Sequence, residues 1–351
     1  MTTLGPASGE QYELSHGSMR AVIASVGASL RVLQADGRDL IVPFAADEVR
    51  PAFRGATVAP WPNRVVDGRY RFGGKMHQLP LTEVDRHHAL HGFTPWLKFD
   101  RVATDEPGAD GAERVPGAGA SVLVLCATVE PQSGYPWRIN VESRFELDDS
   151  GLTQTVVATN LSTEDAPYGV CPHPYLRAGD GPIDRWELTL PAERVLTVSE
   201  PRLIPLGLKP VTHDASRFDF RQPRQIGSAR IDHAFTGLER TDDGSIRVEV
   251  RVPGEGGVGM EWDEACEWVQ IHTADLPGAP SAAHRVGLAV EPMTCAPDAF
   301  NGGPGRGLVH LAPGARHTAS WRIEAIGDGS GEQDRLAQTA EHSAHVTIET
   351  R

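Results

Sequence analysis

Hydrophobic and polar positions along the chain alternate with a period of two, in short runs separated by turn residues. The clearest run is Ile246 to Val252. Ile246, Val248, Val250 and Val252 share one face, and Arg247, Glu249 and Arg251 share the other. That pattern predicts a half-buried β-strand. The turn Asp242-Asp243-Gly244-Ser245 leads into it, and Asp36-Gly37, Asp67-Gly68, Gly73-Gly74 and Asp148 to Gly151 punctuate other runs as hairpin turns do. Further strands are predicted over Arg20 to Ser25, Ser121 to Val129, Trp137 to Leu147, Leu152 to Thr159 and the apolar run Val286 to Val290. Long amphipathic helical patterns are missing, and 37 Gly and 27 Pro interrupt the chain too often for a helical protein. Many short strands with frequent turns predict an all-β fold, a sandwich or a barrel.

Two segments break the pattern. Thr104 to Ala120 is rich in Gly, Pro, Ala and acidic residues and reads as an exposed loop. From Gly327 onward the chain is polar and Gly/Ser-rich, with a weak helical signal near Leu336. Residues 1–326 are therefore read as one domain, and residues 327–351 as a polar tail with the composition of a disordered appendage. No internal repeat is visible. A length of 351 residues is compatible with one large all-β unit, and a hydrophobic fraction of 40% supplies its core.

Charge and cysteine narrow the function. A net charge of −14 argues against nucleic acid or an anionic membrane as partner, because phosphate binding needs a basic surface. No apolar stretch approaches the length of a membrane helix, and Met1 to Glu10 lacks the apolar core of a secretion signal. Cys126, Cys171, Cys266 and Cys295 are scattered singly, so neither a zinc cage nor a redox pair is expected. Reduced thiols fit a cytoplasmic protein.

Candidate chemistry lies where polar groups replace the apolar residues a strand wants. Glu291 follows the run Val286 to Val290, so its carboxylate faces either solvent at a strand end or a pocket. In a pocket it would have a raised pKa and could serve as a base. His173 stands between Pro172 and Pro174, which stiffen the backbone on both sides. That suits a proton donor, and equally a turn histidine with a structural hydrogen bond. His87, His88 and His91 have spacing that zinc could use, but no third ligand type completes a set, and no metal is expected. Trp61 and Trp96 are either packing residues or a stacking face for a sugar ring. Sequence alone does not show that Glu291 and His173, 118 positions apart, meet.

Taken in order, these segments resemble the galactose mutarotase-like aldose 1-epimerases. The resemblance rests on Asn63-Arg64 followed by Asp67-Gly68-Arg69-Tyr70, Leu90-His91-Gly92, Gly134-Tyr135-Pro136, His173-Pro174-Tyr175, Asp232, Glu291-Pro292 and Pro297 to Asn301. It spans roughly Gln11 to Ala325. It implies a single large antiparallel β-sandwich with an open groove and an isomerase that interconverts the α and β anomers of an aldose. It also implies Glu291 as base, His173 as acid, His91 near the ring oxygen, and Asn63, Arg64 and Asp232 as sugar-binding residues. No cofactor is implied, and the partner is a small sugar, with the protein a monomer or homodimer. Leu176 and Arg177 stand where the family commonly has Phe and Asn, and the stretch from Trp61 to Gln78 is similar to a bacterial subgroup that includes epimerases of unusual or anionic sugars. The alternatives are an epimerase of a sugar phosphate or other anionic sugar, using Arg54, Arg86 or Arg177 at the groove rim, and a non-catalytic sugar-binding sandwich.

Overall fold

The computed structural model describes residues 5–103, 120–275, 284–302 and 306–328. The predicted loop Thr104 to Ala120, Ala120 apart, and the tail beyond residue 328 lie outside them. Two antiparallel sheets dominate. The larger has nine strands, with Ser121–Val129, Ile139–Asp148, Gly151–Asn160, Arg316–Ile326, Gly256–Trp262 and Ile246–Val252 side by side at its centre. The smaller has six, ordered Tyr175–Leu176, Leu288–Met293, Trp268–His272, Asp232–Leu238, Ala192–Val198 and Pro205–Pro210. Among the described residues the only α-helix is the single turn Ala215–Phe218. The fold is all-β, as the alternation predicts, and of the sandwich and barrel it left open the chain forms the sandwich that the family resemblance implies.

Alternation decides which side chains meet between the sheets. In Ile139–Asp148, Ile139, Val141, Phe145 and Leu147 are buried, while Asn140, Glu142, Arg144 and Glu146 between them are partly exposed. Leu288 and Val290, Val269 and Ile271, and Phe235 and Val195 join the same core from the smaller sheet. Their neighbours in sequence must then point to the opposite face. That face carries Ala289, Glu291 and Met293; Trp268, Gln270 and His272; and Asp232 and Ala234. Half of it is apolar, since Trp268, Met293, Ala234 and Leu196 pack together with Cys171 and Val58. The polar half is the candidate site.

Short ladders outside the main sheets close over this face. Thr57–Val58 pairs with Cys171–Pro172, and Arg64–Val66 pairs with His88–Leu90. They carry the chain segments that hold Asn63, Arg64, His91 and His173. Glu291 is not a strand terminus. The strand runs on through Leu288–Met293, and the residue is 2% exposed.

Candidate active site

Register brings the acid–base candidates together. Tyr175 pairs with Ala289 and Leu176 with Leu288, both antiparallel. Continuing that register two residues past the strand end sets His173 opposite Glu291. The side chains meet there, with His173 Nε2 3.5 Å from Glu291 Oε1. The prolines on either side have no N–H to give, but the backbone of His173 is tied down through its carbonyl, which accepts from Gly55 N–H at 2.8 Å. His173 Nδ1 and Glu291 Oε2 are buried and have no hydrogen-bond partner among the described residues. Buried polar atoms are rarely left so, and a polyhydroxylated ligand would satisfy them.

The rest of the polar set surrounds this pair. Gln270 lies directly across the ladder from Glu291 and donates to Asp232 Oδ1 at 2.6 Å. Its own Oε1 is buried without a partner among the described residues, as is Nδ1 of His272. Arg64 reaches toward Asp232, 3.8 Å away, but is held chiefly by Glu83 through two hydrogen bonds of 2.8 and 2.9 Å. Arg86 completes the clasp on Glu83 at 2.8 Å.

Asn63 and His91 are locked to each other. Both have left-handed backbones, φ 55° and 58°. Asn63 tolerates this better than most residues. The Asn63 carbonyl accepts from His91 N–H at 2.9 Å, and Asn63 N–H donates to His91 Nδ1 at 3.3 Å. With Nδ1 accepting, a neutral His91 carries its proton on Nε2 and acts as a donor. His91 packs edge-on against His173 with ring centroids 5.0 Å apart. The Asn63 side chain turns inward and accepts from Arg64 N–H at 2.9 Å, so its part is to shape the turn beneath Arg64.

Burial sets the charge states. It pushes Glu291 well above the usual carboxylate range, helped by the negative Asp232 and opposed by Arg64. It pushes His173 down to about 3. His91 is held well below the usual imidazole range by burial, then by His173 and Arg64. For Asp232 burial works against ionisation, but His272, Arg64 and His233 outweigh it and keep the carboxylate charged. Burial thus works against the carboxylate of Glu291 and against the imidazolium of His173, and favours the neutral form of the pair, with its proton on the carboxyl.

The three histidines with metal-like spacing do not converge. His87 is exposed, while His88 is buried in its strand with Nε2 2.8 Å from the Arg202 carbonyl. The group of three potential ligands found among the described residues is instead His91, His173 and Glu291, all within 4.8 Å of one another. The Asn63 N–H directed at His91 Nδ1 works against an ion there, because it fixes a proton on the nitrogen that would ligate. Trp61 is a packing residue, 2% exposed, with Nε1 donating to the Ala89 carbonyl at 3.3 Å. Trp96 is 54% exposed.

Glu83, Gln270, His272, Tyr175 and Phe53 also belong to this site, and none was a candidate from sequence. Gln270 and His272 left a signal, since both fall on the alternate face of the strand Trp268–His272. Alone, that reads as an ordinary solvent face. Phe53 left none. It follows Ala52 in the left-handed region, φ 45° and 57°, an arrangement costing roughly 1–3 kcal/mol per residue. Its ring lies 4.7 Å from that of His91 and 6.0 Å from that of His173.

Comparison with known proteins agrees with this architecture. The aldose 1-epimerase family profile matches residues 10–324. The chain is 32% identical over 318 residues to the uncharacterized protein YihR of Escherichia coli (strain K12), covering 90% of this chain and 93% of that protein. It is 28% identical over 249 residues to the galactose mutarotase of Mus musculus, covering 67% of each. Among solved structures, a galactose mutarotase-like protein from Clostridium acetobutylicum superposes with a TM-score of 0.75 at 16% identity, over 90% of this chain and 94% of that one. Galactose 1-epimerase from Lactobacillus acidophilus superposes with a TM-score of 0.71 at 19% identity and the same coverage. With a family profile matched across nearly its whole length, on a sandwich shared with those structures, this chain belongs to the aldose 1-epimerase family.

Proposed function

We propose that the protein interconverts the α and β anomers of an aldose, with Glu291 and His173 as the proton-transfer pair. The observation that carries this reading is the buried contact between His173 Nε2 and Glu291 Oε1 at 3.5 Å, each side chain keeping one polar atom that has no partner among the described residues. Ring opening removes the proton from the C1 hydroxyl and places another on the ring oxygen as the C1–O5 bond breaks. Glu291 takes the first and His173 gives the second. The free aldehyde rotates about C1–C2, and closure on its other face returns both protons. No electrons leave the sugar, so no redox partner is required. Each proton-transfer group is worth on the order of a hundred- to ten-thousand-fold in rate.

Burial shapes the energetics. Opening converts a carboxylate and an imidazolium into a carboxylic acid and a neutral imidazole. That neutral pair is the form burial favours, so the site disfavours the ionised state that faces the closed ring and favours the one that faces the aldehyde. The proton count of the pair is constant throughout, and catalysis needs no exchange with bulk water. His91, donating from Nε2, suits the ring oxygen, while Arg64 and Asp232 suit a pair of ring hydroxyls.

An anionic sugar is the second reading, and Arg54 favours it. Arg86 is bound to Glu83 and Arg177 to Asp39 and Asp180. Arg54 forms no ion pair among the described residues, and its guanidinium lies 5.7 Å from the centre of the Tyr175 ring, on the strand beside His173. Exchange NMR on freshly dissolved single anomers of neutral aldoses and of their 6-phosphates separates the readings. Accelerated interconversion supports the enzyme and ranks the substrates. Binding without acceleration on any sugar would leave a sugar-binding sandwich.

A further inference from the structure

A line of ring contacts runs from the proton-transfer pair to the surface. From His173 it passes to His91 at 5.0 Å, to Phe53 at 4.7 Å and to Trp96 at 5.8 Å. Trp96 is the only large aromatic side chain exposed among the described residues. It is also fixed in place. The Arg50 guanidinium lies 4.8 Å from the centre of the indole ring. Arg50 is 5% exposed and is anchored by the Val26 carbonyl at 3.1 Å, Ser29 Oγ and the Pro95 carbonyl. No carboxylate pairs with it among the described residues, although burying a cation without a counter-charge is costly. A buried cation and a left-handed Phe53 together hold an aromatic surface rigid at the mouth of the site.

The proposed chemistry says which part of a sugar arrives there, and this inference rests on that chemistry. The ring oxygen of a pyranose is bonded to C1 and C5, and C6 hangs from C5. Glu291 takes the C1 side and the histidines take the ring oxygen. The direction that continues past the histidines is that of C5 and C6. We propose that Phe53 and Trp96 form a subsite for a second sugar ring attached through O6 of the reacting aldose. The substrate class then includes reducing disaccharides with a 1,6 linkage. The C–H face of the second ring stacks on the indole, whose other side is occupied by Arg50.

The test measures anomer interconversion by exchange NMR for glucose, isomaltose and maltose, and for galactose with its β-1,6 and β-1,4 galactobioses. The readout is the ratio of kcat/KM for each disaccharide to that of its monosaccharide. In wild type the 1,6-linked ratio exceeds the 1,4-linked one. Trp96→Ala lowers the 1,6 ratio roughly tenfold, the equivalent of about 1.4 kcal/mol, while Trp96→Phe keeps most of it. Equal losses for monosaccharide and disaccharide would assign Trp96 to structure alone. A wild type that rejects 1,6-linked sugars, or prefers 6-phosphates to them, overturns the subsite. Calorimetric titration of isomaltose and glucose into the same proteins gives an answer independent of turnover. If wild type accelerates no sugar, the mutarotase reading fails, yet a selective loss of isomaltose affinity in Trp96→Ala still upholds the subsite, and its absence refutes it.

Discussion

Glu83→Gln separates the scaffolding of Arg64 from its contact with sugar. Glu83 grips the Arg64 guanidinium through two short hydrogen bonds, with side chains only 10% and 13% exposed. Gln keeps the shape but offers one acceptor where there were two and turns an N–H₂ toward a cation. Losing a charge-assisted hydrogen bond costs roughly 1.5–3 kcal/mol. Breaking a buried pair outright costs roughly 3–5 kcal/mol. Arg64 retains Asp232 at 3.8 Å, so the lower range applies. For a chain of 351 residues the expected fall in Tm is roughly 2–4 °C. Without Glu83, Asp232 becomes the nearest anion, and the two groups assigned to ring hydroxyls close on each other. KM should then rise roughly tenfold while kcat changes little, as expected when binding common to ground and transition states is lost. Thermal melts and saturation kinetics on purified single anomers provide both numbers. A fall in Tm with KM unchanged would refute the reasoning, because Arg64 would then be a structural clasp that sugar never meets.

Three further outcomes follow from the same geometry. The pair keeps its single proton from about pH 3, where His173 gains a second, up to the raised value of Glu291. The pH profile should therefore show no break in the ordinary carboxylate range, and a break there contradicts the shared proton. Glu291 also links pH to stability. Its folded pKa lies above the 4.5 of the unfolded chain, so stability falls as pH rises from 4.5 toward the folded value. Glu291→Gln should remove that slope, its Tm advantage over wild type growing above pH 4.5, and parallel melting curves against pH would show that Glu291 is not buried as an acid. Finally, activity should survive exhaustive dialysis against EDTA, and a loss restored by zinc would give His91, His173 and Glu291 a metal after all.

The sheets were largely legible because alternation is a local signal. Ser121–Val129 and Ile246–Val252 match their predicted bounds, and the run Trp137 to Leu147 forms a strand beginning at Ile139. The two-residue ladders were not, and Thr57–Val58 with Cys171–Pro172 is one of those that deliver His173 to the site. No periodicity can appear in two residues. Glu291 was visible as a charge at the end of an apolar run, facing either solvent or a pocket, and its meeting with His173 depends on register between strands far apart in sequence. Glu83 gave no sign at all, since an acidic residue in a polar turn is ordinary until Arg64 is seen beside it. The order of motifs by which the chain resembles its family supplied what local pattern could not, and the family profile over residues 10–324 agrees with it.

Single-anomer exchange NMR on Glu291→Gln and His173→Asn, alone and combined, tests the central claim most directly. If the two groups pass one proton as a unit, each single variant loses nearly all acceleration. The double variant then falls little further, because groups that act together are not additive. Sugar affinity, read by titration, should change far less than rate in all three proteins. If either single variant keeps a near wild-type rate, or if the two losses multiply in the double variant, Glu291 and His173 are not the proton-transfer pair.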